Sequence, residues 1–480
     1  MTTGPPTFRL ADTELAGLGA GRPDAATLAT LRRAQLSRHL LLLREIRRAQ
    51  PPTPAWYTHL TSIDTAEANR RIADPMTGLW AAHTLRAGGT AGPSPGGHAL
   101  RATCADLVLS VRVDDADPLR HLLGLPPTGP LSDDEVEHWR RCLDAAWQIL
   151  VTRHRAAAET LAAVLRVIVP VEPDPAAEGI SSTSAEAFGA VAMSAPVDAT
   201  ALAVGLLHEV QHSVLNAVHQ LFELVLPGGG LGYSPWRDDP RPGLGVLHGA
   251  YAYLSVTRFW RVEAGASGAS GASGASGFEF ARWRAAVAGT ADQLLDGGEL
   301  TAAGTRFVTA LRAEVGPWRD DPVDPETLRL AELARADHHV RWRLRNLAVT
   351  PGDTAALGQA WRDGKRPPHV DPVLVKAPGR ALENSPRARL ARELAKGDQA
   401  VQPGGRATAA DVACVRGDGG TARRSYKKAL EVDRGNDAAW AGLALVSPHV
   451  ALRRRPEIVR AAALGVPEAQ VDVLADWLGG

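Results

Sequence analysis

The sequence predicts an α+β protein, mostly helical, with a small β-sheet set beside one long buried helix. Three observations predict it. Most of the chain carries apolar residues at helical spacing, three short β-branched runs near 105–113, 166–171 and 188–194 read as strands, and an apolar, proline-free run follows the third directly. Asp198 can cap the first turn of that run. Leu202, Gly205, His208, His212, Leu215, His219 and Phe222 then recur at helical spacing until Pro227 and three glycines end it.

The long helix contains His208-Glu209-Val210-Gln211-His212, an H-E-x-x-H pattern. One turn apart on one face, His208 and His212 can grip a single divalent metal. Glu209 projects about 100° away, where it reaches a metal-bound water or braces a ligand rather than serving as third ligand of the pair. Two ordinary histidines on a helix would also give this short pattern. Its setting between residues 201–207 and 214–218 favours a metal, because a Glu and two His amid apolar neighbours are costly to bury without a partner. The strand at 188–194 would then lie where zinc peptidases hold an extended substrate, a zincin-like arrangement, or would simply close the sheet.

The 480 residues can bury several cores, and 53 basic against 53 acidic residues give no electrostatic reason for a nucleic-acid or membrane partner. Cys104, Cys142 and Cys414 lack C-x-x-C spacing, which speaks against a disulfide framework or an iron–sulfur cluster. The opening Met1-Thr2-Thr3-Gly4-Pro5-Pro6 has no secretion-signal pattern and no apolar run is long enough to span a bilayer, so a cytoplasmic protein is expected.

Four regions are expected. Residues 1–180 form an N-terminal helical and small-sheet region, with a packed helix around Leu40 to Leu43 and core anchors Trp139, Trp147 and Leu150. Residues 181–350 form the metal-binding core, interrupted by a flexible Gly-Ala-Ser insert at 265–277. Residues 351–400, rich in Pro and Gly, read as a linker or mobile arm, and 401–480 as a helical segment resembling a single tetratricopeptide-like pair. His338 and His339 read as solvated rather than as ligands.

The third ligand decides the chemistry. A metzincin would need Gly and His where this chain has Leu215 and Val218, and Glu223 and Glu263 are the downstream carboxylates of a gluzincin-type alternative. Residues 233–242 read as a loop stiffened by three prolines, followed by a helix whose return brings His248 toward His208 and His212. His248 is therefore the preferred third ligand. Three histidines could hold zinc in a hydrolase or ferrous iron with open positions.

Taken together, Ser184-Ala185-Glu186-Ala187-Phe188-Gly189-Ala190-Val191, the H-E-x-x-H, Pro235-Trp236-Arg237-Asp238-Asp239-Pro240-Arg241-Pro242 and His248-Gly249-Ala250-Tyr251 resemble the bacterial H-E-x-x-H peptide-modification family. An early helix at 28–48 and Arg341-Trp342-Arg343 extend the likeness over most of residues 8–350. The resemblance implies an iron(II)- and 2-oxoglutarate-dependent hydroxylase acting on the β-carbon of a residue in a ribosomally made precursor peptide, alongside another peptide-maturation enzyme. It further implies iron on His208, His212 and His248. Arg241, then Arg237, would hold the distal carboxylate of 2-oxoglutarate, unless Asp238 and Asp239 pair with these arginines and brace the loop. The alternatives are a zinc metallopeptidase with Glu209 as general base, and a non-enzymatic peptide- or protein-binding module resting on the C-terminal segment.

Overall fold

A computed structural model describes residues 8–479 except 51–52, 90–91, 95, 176, 178, 267–271, 376–384 and 399–401. The protein is mostly helical with a small mixed sheet, as the periodicity predicts. Among the described residues no helix is long and apolar enough to cross a membrane. The chain divides into two compact units that interleave rather than follow linear cuts: 1–228, 247–262 and 287–318 form the first, and 229–246, 263–286 and 319–480 the second.

The first unit holds a five-stranded sheet. Its strands are β1 (His98–Cys104), β2 (Leu107–Val113), β3 (Val167–Val171), β4 (Ser181–Ser182) and β5 (Ala190–Ser194), in the order β1-β2-β3-β5-β4. Strands β2, β3 and β5 run parallel, while β1 and β4 are antiparallel additions at the two edges. Every residue of β3 and β5 is buried, as expected of parallel strands covered on both faces. Val167, Val169 and Val171 pack with Met76, Leu79 and Leu123. The long helix Ala199–His219 lies against β4 and β5, and a Cβ added at Gly205 would meet Met193 Cε at 2.9 Å, so a glycine lets helix and sheet approach closely.

Strand β1 follows a Gly/Pro-rich passage at 87–97 and was not among the expected strands. The expected anchors Trp139, Trp147 and Leu150 lie on the first of two helices, Asp133–Arg153 and Arg155–Val164, which break at His154. Trp139, Trp147 and Leu150 are buried there as expected.

In the second unit the proline-rich stretch at 233–242 is not a loop. It forms a hairpin of β6 (Leu231–Ser234) and β7 (Arg237–Pro242), a two-stranded ribbon in which proline is tolerated at an edge. The expected linker carries helices Pro351–Arg362 and Pro386–Ala395, while its residues 376–384 and 399–400 lie outside the described residues. Of the Gly-Ala-Ser insert, 265–266 end helix Gly243–Ala266 and 272–277 begin helix Ala272–Asp296; 267–271 lie outside the described residues.

The C-terminal helices pack around Tyr426, Trp440 and Leu443. A Cβ at Gly442 would stand 2.2 Å from Tyr426 Cζ, and the Tyr426 hydroxyl is anchored by donation to Asp411 at 2.7 Å. Gly442→Ala is expected to lower the melting temperature followed by circular dichroism. Overpacking costs roughly 1–3 kcal/mol, more than the roughly 1 kcal/mol gained in helix propensity.

A buried carboxylate in the first unit gives a pH-dependent expectation. Burial, then the nearby Asp114 and Asp74, push Asp117 up to about 6, against the Leu119 N–H that donates to it. The folded protein thus binds this proton more tightly than the unfolded chain, so the group's stabilising contribution is present at pH 4 and is lost as pH rises to 6. Asp117→Asn should therefore be more stable than wild type by roughly 1–3 kcal/mol at pH 7 in urea unfolding, with the difference gone near pH 4.

Candidate metal centre

Helix Ala199–His219 begins directly after β5 because Asp198 caps it, its side chain accepting the Ala201 N–H at 2.7 Å. The helix stops at His219, a turn before the expected Phe222. From its inner stripe, His208 and His212 turn their Nε2 atoms to within 3.1 Å of each other. Metal–nitrogen bonds of about 2.0–2.1 Å, at angles between a right angle and a tetrahedral one, place two ligand nitrogens roughly 2.9–3.4 Å apart. The pair fits one shared ion.

Electrostatics favour the ligating form. Burial, opposed by Glu209, lowers the pKa of His208; burial, then His208 and His248, sets His212 well below the ordinary imidazole value. Burial and then His219 push His248 down to about 4. Each shift favours the neutral ring, the form that offers a lone pair to a metal.

Glu209 is 2% exposed, and its Oε1 lies 3.9 Å from His208 Nε2. Ser181 Oγ donates to Oε1 at 2.7 Å, and Thr183 Oγ1 donates to Oε2. These two hydroxyls come from β4 and the residue after it, two positions apart and so on one face of the chain. The sequence shows them as a Ser/Thr-rich run but not their target, which lies 28 and 26 residues downstream. The ligand atoms of His208, Glu209 and His212 all lie within 4.8 Å of one another, the one such group among the described residues.

His248 arrives from the returning helix as expected, but at the other edge of the His212 ring. Its Nδ1 lies 3.1 Å from His212 Nδ1, not beside the Nε2 pair. Strand β5 is interior, between β3 and β4, so a peptide cannot add along it; the sheet edge beside the histidine helix is β4. Tyr253 sets its ring edge-on to His208, with centroids 5.2 Å apart. The Glu186 of the family-like stretch pairs with Arg38 and Arg86, a structural brace.

Arg237 and Arg241 lie on β7 in the second unit. Both turn to Asp239, at 2.9 and 3.4 Å, which is the bracing alternative, whereas Asp238 instead faces His338 Nε2 at 3.4 Å. Two guanidiniums on one carboxylate leave this trio one net positive charge. His338 and His339 are partly buried rather than solvated. His338 Nδ1 bonds the Tyr233 hydroxyl at 2.9 Å, and burial, then nearby arginines, push His339 down to about 4.

No family model matches the chain, and no curated protein matches it.

The geometry makes a direct prediction. Protein loaded with ferrous iron or zinc and freed of excess should retain about one equivalent of metal by elemental mass spectrometry. His208→Ala and His212→Ala should each lose it while keeping the wild-type far-ultraviolet circular dichroism.

Proposed function

We propose that this chain is an iron(II)- and 2-oxoglutarate-dependent hydroxylase acting on the β-carbon of a residue in a ribosomally made precursor peptide. The observation that carries the reading is the pair of imidazoles with Nε2 atoms 3.1 Å apart beside a carboxylate already engaged by two hydroxyls. His208 and His212 would hold the metal. Iron with 2-oxoglutarate and dioxygen supplies C–H hydroxylation, one oxygen atom going to the substrate carbon and the other to succinate, with carbon dioxide released. The reaction class and the peptide substrate come from the motif resemblance.

Glu209 supports this reading over a zinc peptidase. Ser181 and Thr183 each donate to one oxygen and fix the direction of the carboxylate, which suits a group that orients a neighbour. The lone pair that each oxygen keeps is what the cleavage test below examines.

The test uses a short peptide encoded beside the gene, with iron(II), ascorbate and 2-oxoglutarate. One oxygen mass should be added with succinate formed in step, the label should come from dioxygen and not water, and His212→Ala should abolish both. Cleavage of the peptide with zinc and no 2-oxoglutarate, lost in Glu209→Gln, would replace this reading with the peptidase. Tight binding of the peptide with no metal requirement would replace it with a binding module.

A further inference from the structure

Strand β4 ends the first unit's sheet and has one strand neighbour, β5. Main-chain N–H and C=O groups leave an antiparallel strand toward one neighbour and then the other on alternate residues, so the bonds made to β5 tell which groups point outward. The Ser194 N–H donates to the Ile180 carbonyl at 3.0 Å, and two residues further along Ser182 is paired with Ala192. Ile180 and Ser182 therefore face β5, whereas Ser181 and Thr183 turn their N–H and C=O groups away from it. Among the described residues these outward main-chain groups have no partner. Residues 181–184 are only partly buried, and 179–184 carry no proline or charged side chain of the kind that keeps a second strand off an edge.

The two residues that offer this outward main chain also send their hydroxyls to Glu209. Ser182 between them points the other way, its Oγ donating to the Leu123 carbonyl at 2.7 Å. Residues directly opposite one another on neighbouring strands carry their side chains on the same face of the sheet. A strand added at this edge would thus set the side chains aligned with Ser181 and Thr183 toward the Glu209 side, and the one aligned with Ser182 toward the opposite face.

We propose that β4 is a docking edge for an extended peptide, which adds antiparallel to it and is held through its own main chain by Ser181 and Thr183. The inference rests on the proposed reading of the chain as a peptide hydroxylase and states how that substrate is gripped. Antiparallel pairing is the more stable ladder per residue, and its bonded pairs are directly opposite residues. The peptide residues bonded to β4 are then the ones whose side chains face Glu209, so the residue hydroxylated lies an even number of positions from each of them. Recognition of this kind tolerates many side chains and rejects proline or an N-methyl group at the bonded positions.

The peptide encoded beside the gene, synthesised with a single N-methyl group at each position in turn, is titrated against the metal-free full chain. Affinity should fall about tenfold or more at positions two apart, at even offsets from the residue that the iron-loaded enzyme hydroxylates, and little at the positions between. Hydrogen exchange read by mass spectrometry should slow over residues 180–184 when the unmodified peptide binds. Ser181→Pro removes an outward N–H without touching a bond to β5, and should weaken binding more than Ser181→Ala, which keeps that N–H and loses only the hydroxyl. The methyl scan and the exchange measurement use the wild-type chain, so they decide even if a variant fails to fold. Binding that leaves 180–184 unprotected, or sensitivity at odd offsets, would overturn the docking edge while hydroxylation of the peptide stands. A peptide that is neither bound nor hydroxylated would overturn the proposed function and the docking edge with it.

Discussion

The burial of one carboxylate, Glu209, ties the sheet to the histidine helix. Ser181 and Thr183 reach it from the sheet's edge, so the depth and rotation of the helix over β4 and β5 are set where the histidines emerge. Close approach is possible because Gly205 offers Met193 no side chain. A side chain there would first have to displace the flexible end of Met193. Packing and site geometry are thus one constraint.

The parts of this arrangement legible in the sequence are those whose partners are local. The Asp198 cap, the one-turn spacing of His208 and His212, and the strands at 107–113 and 167–171 depend on residues a few positions apart, and periodicity reports them. What failed depended on distant partners. Strand β4 is two residues long and has meaning only through β5 and Glu209. Strand β1 exists because β2 pairs with all seven of its residues, although a Gly/Pro-rich passage runs up to it. The hairpin β6/β7 hides behind prolines and charges that locally signal a loop, and helix Pro351–Arg362 begins with a proline in its first turn and a Thr350 cap inside a stretch read as a linker.

His248 shows where the site itself outran the sequence. The helix that follows residues 233–242 brings His248 to His212, one of the two histidines it was expected to approach. Which edge of His212 it meets depends on side-chain rotation, which no spacing rule encodes. The arginines teach the same lesson: position on β7 does not reveal that Asp239 already takes both.

Buried carboxylates elsewhere in the molecule differ in what they pair with. In the second unit, Asp337 and Asp411 share the guanidinium of Arg387, Glu457 takes Arg343, and Glu279 takes Arg392. In the first, Asp114 has Arg112, and Asp117, short of a cation of its own, holds its proton up to about pH 6. Asp115 and Asp238, also buried, face a histidine each, His98 at 3.3 Å and His338 at 3.4 Å. Glu209 has hydroxyls, which satisfy its hydrogen-bonding capacity but bring no positive charge. The ligand atoms of His208, Glu209 and His212 lie within 4.8 Å of one another, and a divalent ion held there would bring Glu209 the positive charge that its two hydroxyl partners do not.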